Sequence, residues 1–260
     1  MTSSSLPSLD FGWQWQFWQG LPYVTCTLLE NWRHGFFTQQ FYPRSPEELV
    51  QVLQPEAEVY RLKQVHGNRV LQPGEIAQLL AQNPDQNLPE GDGVLTSNSN
   101  QSVWVASADC TPVLIADSLT GKVAAIHAGW RGTAKKIVPE AIARFLAQGS
   151  ERENLLVAMG PAITGEVYQV SEQVAAEVVA SVVDFADKQL PNSPILEDSE
   201  PGKVRLDVRR VNELQIQQLG IKSEQISIAP LCTYQQPEYL FSYRRSQEKK
   251  VQWSGIVSGN

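Results

Sequence analysis

Only three histidines and three cysteines occur among the 260 residues, so the few that fall near one another carry most of the legible chemistry. Pro112–Asp117 and Lys122–Ala128 are apolar, strand-like runs around Ser118-Leu119-Thr120-Gly121, the pattern of a β-hairpin. A four-residue loop pairs Asp117 with Lys122 and sets Cys110 opposite Gly129. His127, two residues from that partner, then shares a face of the ribbon with Cys110. Such diagonal neighbours lie about 7–8 Å apart at Cα, within reach of one metal ion or of each other. A three-residue loop would put them on opposite faces. His66, in Lys63-Gln64-Val65-His66-Gly67-Asn68, sits where a strand runs into a Gly-Asn turn, a common position for site residues.

Two histidines and one cysteine with an open position form a catalytic zinc set. A zinc so held would polarise a substrate oxygen or make hydroxide from water near neutral pH. Taken alone, the same residues also suit a small buried thiol and a satisfied sheet histidine. Asp109 puts a carboxylate beside the thiol, placed for proton transfer or for supporting its neighbours. Gly129, Trp130, Arg131 and Thr133 follow His127 in a strand end, a Gly-bracketed aromatic and Arg, and a helix start. Backbone N–H groups at such a start, with a guanidinium fork, suit a phosphate or carboxylate; an ordinary tight turn with a solvated Arg fits the local sequence equally well.

Composition narrows the classes. A net charge of −7 argues against nucleic acid as a partner. Three histidines cannot build a multicopper oxidase, so zinc is preferred to copper, and three cysteines cannot build a four-cysteine zinc module or a disulfide framework. They read as free thiols in a reducing compartment. There is no Walker A loop and no G-x-G-x-x-G. Met1–Pro7 lacks the basic and apolar regions of a signal peptide, and no apolar run approaches a membrane span. A soluble cytoplasmic protein without a membrane partner is the expectation.

The elements that must hold these residues are legible in outline. Phe11, Trp13, Trp15 and Phe17 alternate like a strand, with a returning strand over 23–29. Pro46 and Glu47-Glu48 open a helix ending near Leu53. Strands are expected over 59–65, 103–107, 155–159, 226–231 and 251–257. A helix is expected over 133–147, kinked at Pro139. Another starts at Ser171 with Val174, Val178, Val182 and Phe185 on one face, and a third carries Val208, Val211 and Leu214 to Gly220. Residues 82–91 and 187–203 read as loops. One α/β-type domain over residues 1–260, with a mixed sheet or two packed sheets, accounts for the pattern.

Several stretches then resemble one family in order: His34-Gly35-Phe36-Phe37-Thr38, Gln64-Val65-His66-Gly67, Gly91-Asp92-Gly93-Val94-Leu95-Thr96, Ala108-Asp109-Cys110-Thr111-Pro112, and His127 through Thr133. Gly160-Pro161-Ala162-Ile163, Tyr168-Gln169-Val170, Cys232-Thr233 and Phe241-Ser242-Tyr243-Arg244-Arg245 follow. The chain is similar to the YfiH-like, or laccase-domain, family, also described as purine nucleoside phosphorylases and peptidoglycan-editing factors. The resemblance implies a four-layer α/β/β/α fold with mixed sheets, and zinc on His66, Cys110 and His127. It implies phosphorolysis of adenosine, inosine and methylthioadenosine, with adenosine deamination alongside, so the small-molecule partners are a nucleoside and phosphate. The family usually follows His-Gly-Phe-Phe-Thr with Gly-Gly-x-Ser and later Asn-Arg near the pocket. This chain runs from Thr38 directly to Pro43-Arg44, where Arg44 is the candidate substitute.

Phosphorolysis needs an anion site, for which Arg131 and the Gly129–Thr133 turn are placed, and proton transfer, for which Asp109 is placed. Tyr168, Trp130 and Tyr243 are candidates to stack on a base, or are simply core aromatics. His34 is a candidate substrate ligand or a strand-end histidine. Cys232 reads as a buried structural thiol. Arg244 and Arg245, if on a strand, point to opposite faces, so at most one enters the site. Two other readings stay open: a metal-free Cys110–His127 hydrolase or amidase on a cell-wall precursor, and a non-catalytic binding protein stabilised by metal.

Overall fold

The computed structural model describes residues 6–9, 12–182 and 193–259. Phe11 and Phe185, expected on the first strand and on the helix after Ser171, lie outside them, as do residues 187–192 of the expected loop. In the first part of the chain, β1 (Trp13–Trp18), β2 (Leu21–Cys26) and β3 (His34–Phe37) precede α1 (Pro46–Leu53) and β4 (Glu58–Tyr60). Then come β5 (Val70–Leu71), α2 (Pro73–Gln82), β6 (Gly93–Leu95), β7 (Gln101–Ser107), β8 (Thr111–Asp117) and β9 (Val123–Ala128). The next elements are α3 (Trp130–Ala134), α4 (Ile137–Ala147), β10 (Leu155–Met159), β11 (Gln169–Ser171) and α5 (Glu172–Val179). The chain closes with β12 (Ile195–Glu197), β13 (Lys203–Leu206), α6 (Val208–Gln218), β14 (Ile226–Ile228), α7 (Tyr243–Ser246) and β15 (Gln252–Val257).

Two six-stranded sheets run in the orders β1-β2-β3-β15-β7-β4 and β14-β10-β8-β9-β6-β5. Both are mixed: β4–β7, β5–β6 and β10–β14 are parallel, and the other pairs are antiparallel. The central strands are apolar on both faces because both faces are buried. Leu114 and Ala116 of β8 face Val103 and Val105 of β7 between the sheets. Val113 and Ile115 face the other way, onto Ile137, Ala141 and Phe145 of α4 and Ile216 of α6. On the far side, Leu49, Val50 and Leu53 of α1 cover Phe37, Trp104 and Val257. The result is the α/β/β/α layering. A small third sheet, β11-β13-β12, packs with α5 and α6 around Val178, Leu206 and Val211.

Local signals explain the helix starts. The backbone N–H of Ser45 donates to Glu48 at the head of α1, and Ser171 and Asp207 accept from Val174 and Arg210 at the heads of α5 and α6. Four expectations need correction. The helix over 133–147 breaks at Lys136, whose φ is 60°. Pro139 lies in the first turn of α4, where its missing N–H has no intrahelical acceptor anyway, so it kinks nothing. Within the expected loop 187–203, residues 195–197 form a strand and residue 203 starts another, and Arg244 and Arg245 lie on a helical turn, not a strand. The expected strand over 59–65 is regular only to Tyr60, continuing as a single bridge of Lys63 to Glu90. No helix among the described residues is long and apolar enough to cross a membrane.

Candidate active site

The hairpin forms with the four-residue connection. Thr111 pairs with Ala128 and Pro112 with His127, so Cys110 falls opposite Gly129. His66 arrives from the loop before β5. One donor atom each from His66, Cys110 and His127 lie within 4.8 Å of one another, and the two imidazoles meet edge to face at 4.8 Å between centroids. His127 is buried, Cys110 half-buried and His66 exposed, so the cluster opens to solvent on one side.

Asp92 holds this arrangement together, and no motif in the sequence singled it out for that role. It sits immediately before β6, fully buried, in Gly91-Asp92-Gly93. Its carboxylate accepts from the backbone N–H groups of Val65 (3.2 Å), His66 (2.9 Å) and Gly67 (2.7 Å). Three successive N–H groups turned onto one anion form a nest, which keeps His66 in the left-handed region at φ 58°. The same carboxylate accepts from His127 Nδ1 at 2.9 Å. A carboxylate only accepts here, so Nδ1 carries the proton and Nε2 is left for the cluster. Gln64 adds a second tether: its carboxamide accepts from Ala106 N–H and donates to Ala106 C=O on β7.

The electrostatics follow from these contacts. Burial pushes the Cys110 thiol up, but the charge of His127 and hydrogen bonds from His127 and His66 overcome it and bring it down to about 6. Burial pulls His127 down, but the Cys110 thiolate and then Asp92 raise it to about 9. Without a metal ion, the two form a thiolate–imidazolium pair between those values.

The donor set suits zinc. Cysteine thiolate and imidazole nitrogens are its usual ligands, and a ligating histidine tied through its other nitrogen to a carboxylate is the usual support. Gly129 makes room for the cluster: a Cβ there would stand 2.7 Å from Cys110 Sγ and 3.4 Å from His66 Cδ2. A Cβ at Gly132 would meet the Gly67 carbonyl at 2.9 Å, so the turn after His127 can close onto the His66 loop only with glycine there.

A cleft of about 670 Å³ opens over the cluster. His66, Cys110, His127, Trp130, Arg131 and Tyr168 line it, with Tyr243 and Arg244 from α7. Arg131 lies over its neighbour Trp130 at 4.2 Å and Arg244 over Tyr168 at 4.9 Å. Burial pushes the Tyr168 hydroxyl up to about 12, with the nearby Cys110 thiolate adding to the rise, so it stays protonated. Arg245 turns away, donating to the carbonyls of Thr233, Tyr234 and Leu240. One arginine of the pair enters, but helical geometry, not strand alternation, separates them.

Other expected residues take different places. Asp109 borders the cleft, but its oxygens accept from Thr233 Oγ1 (2.6 Å) and the Arg244 backbone N–H (2.7 Å), which anchors the Cys110 turn. Thr133 is fully buried, its hydroxyl paired with Asn212 and its N–H with Gly129 C=O, so it does not face the cleft. Gly129 is not in the wall of this cleft; it lines a small side pocket together with Trp130 and Tyr168. His34 does not reach the cleft: its Nε2 accepts from Cys26 N–H and its Nδ1 donates to the Trp32 carbonyl. Arg44 packs over Trp18 and Phe41, not over the cleft. Cys232 is buried, its sulfur accepting from Thr164 N–H and Oγ1.

Fold and site together define an α/β protein built on two packed six-stranded sheets, with a His-Cys-His cluster under a cationic, aromatic-walled cleft. Residues 44–257 match the family described as multi-copper polyphenol oxidoreductase laccase, and the chain belongs to that family. It is 53% identical over 258 residues to a purine nucleoside phosphorylase of Synechocystis sp., covering 95% of this chain and 97% of that one. It is 34% identical over 161 residues to the purine nucleoside phosphorylase YlmD of Bacillus subtilis, covering 61% of this chain and 55% of that one. Among solved structures, YlmD from Geobacillus stearothermophilus superposes with a TM-score of 0.80 at 22% identity, over 95% of this chain and 99% of that one. The protein YfiH of Bacillus licheniformis gives 0.77 at 23%, over 91% and 96%. These two likenesses bear on the fold.

Proposed function

We propose that this chain is a zinc-dependent purine nucleoside phosphorylase acting on adenosine, inosine and methylthioadenosine, with adenosine deamination alongside, in the cytoplasm. The 53% identity, over nearly the full length, to a protein named purine nucleoside phosphorylase carries the phosphorylase reading. His66, Cys110 and His127 would hold the zinc, which supplies Lewis acidity at the cleft floor. In phosphorolysis a phosphate oxygen forms a bond to the anomeric carbon of the ribose. The glycosidic C–N bond breaks, and its electron pair leaves with the purine, which takes up a proton. Arg131 and Arg244 attract and orient phosphate, as guanidinium groups do. Trp130, Tyr168 and Tyr243 wall the base, and the protonated Tyr168 hydroxyl is a donor within the cleft. Asp109 acts by fixing the Cys110 turn and the start of α7. The multi-copper family description does not fit this residue set, because His34 is committed to backbone and only two histidines remain for metal.

The test is release of free purine from each nucleoside, with phosphate present and absent, on the zinc-loaded protein. Phosphate-dependent release supports the reading; equal release without phosphate contradicts it. A second reading is favoured by one observation: Cys110, His127 and Asp92 form a thiol–imidazole–carboxylate chain, the arrangement of a cysteine hydrolase. That enzyme would keep its activity in chelator and lose it on thiol alkylation.

A further inference from the structure

Arg131, Arg244, Lys249 and Lys250 line the cleft, but their charges are not equally free. Lys250 lies 3.0 Å from the carboxylate of Glu248, so that pair neutralises itself. Arg244 donates one Nη1–H to the Gln169 carbonyl at 2.8 Å and rests over Tyr168. The Arg131 guanidinium lies over the Trp130 ring. Neither it nor the Lys249 ammonium has a hydrogen-bond or ion-pair partner among the described residues. The remaining carboxylate of the wall, Asp109, is taken by Thr233 and the Arg244 N–H. Unpaired positive charge therefore gathers in the cleft of a chain whose net charge is −7, and a cleft concentrates the field of such charges.

Arg131 and Lys249 are both exposed, and they come from different sheets. Arg131 follows β9 of the second sheet, and Lys249 precedes β15 of the first. A phosphate near neutral pH carries more than one negative charge, more than Arg131 alone balances. We propose that Lys249 is a phosphate-binding residue, which with Arg131 holds inorganic phosphate against the bound nucleoside. The assignment rests on the phosphorylase reading. An ammonium on a flexible stem is a mobile point charge with three donors. Lys249 follows the anion as it enters, and the planar fork of Arg131 fixes its orientation.

The experiment measures kcat, and KM for inosine and for phosphate separately, at low and high salt. It uses zinc-loaded wild type, Lys249→Gln, Lys249→Arg and Lys222→Gln. Lys222 is exposed and lies outside the cleft wall, so its variant removes the same charge elsewhere. Lys249→Gln should raise the phosphate KM about 5–10-fold, the worth of one exposed charge-assisted hydrogen bond. The inosine KM, and kcat at saturating phosphate, should hold. Added salt should weaken phosphate binding less in this variant than in wild type. Lys249→Arg should keep the phosphate KM near the wild-type value, and Lys222→Gln should not move it. An unchanged phosphate KM in Lys249→Gln, or an equal rise in Lys222→Gln, would overturn the assignment. Inosine monophosphate, added as a competitive inhibitor, separates the two sources of a phosphate group. Weaker inhibition by it in Lys249→Gln with the phosphate KM unchanged would assign Lys249 to a nucleotide and overturn the proposal. Zinc-loaded wild type that releases purine equally without phosphate would instead overturn the phosphorylase reading, and this assignment with it.

Discussion

Each of the two six-stranded sheets carries a cysteine and a histidine on neighbouring segments, and the two pairs have opposite surroundings. In the first sheet, His34 on β3 accepts from the N–H of Cys26 on β2 and donates to the Trp32 carbonyl. Burial holds that imidazole below its ordinary value and pushes the Cys26 thiol above its own. In the second sheet, His127 gives one nitrogen to Asp92 and keeps the other for Cys110 and His66. The shifts reverse, with the thiol low and the imidazole high. Burial is common to both pairs. The difference is a buried carboxylate behind the histidine and a glycine, Gly129, that leaves space in front of it.

The comparison breaks first at the cysteines. Cys110→Ala should abolish zinc binding and lower phosphorolysis more than the ~100-fold typical of losing a group that merely supports a ligand, with the fold kept by circular dichroism. Cys26→Ala should leave both unchanged and cost about 1 kcal/mol of stability in urea. Next is the carboxylate. Asp92→Asn should weaken zinc affinity by about 10–100-fold, measured by competition with a chromogenic chelator, and lower Tm because an amide cannot accept from four donors as a carboxylate does. His34→Ala leaves the Cys26 N–H without its acceptor and should cost about 1–3 kcal/mol, with zinc content and kcat unchanged. The smallest effect is in pH dependence. In chelator-treated protein, alkylation of Cys110 should be complete in its thiolate form above about pH 6 and slow as pH falls through that value. Cys26 should react only at higher pH than an ordinary thiol. The lowered Cys110 and raised His127 values both stabilise the metal-free fold between about 6 and 9. The Cys110 contribution is lost below that window and the His127 contribution above it.

The Cys110–His127 hairpin was legible because register is a local property: a four-residue loop and period-two alternation suffice to put Cys110 and His127 on one face. The four layers came with the family resemblance; apolar runs such as Val113–Ala116, too continuous for a one-faced strand, by themselves gave one mixed sheet or two packed sheets. Asp92 was not legible in this way. It reaches His127 only because β6 pairs with β9, Gly93 against Ile126, and that pairing depends on sheet order. His34 could not be separated from His127 by residue type, since the distinction lies in which partners the two ring nitrogens find. The turn of α7 is four residues long, too short for a helical period to show, so Arg244 and Arg245 read as strand. The helix after Thr133 breaks at Lys136 and is not kinked at Pro139 as expected, because a proline in a first turn displaces no hydrogen bond.

The measurement that bears most directly on the account is metal content per chain, by plasma mass spectrometry, on untagged protein purified without chelator, for wild type, Cys110→Ala and Cys26→Ala. The account predicts near-stoichiometric zinc in wild type and Cys26→Ala and none in Cys110→Ala. Fully active wild-type protein with no bound metal, or zinc retained in Cys110→Ala, would contradict it.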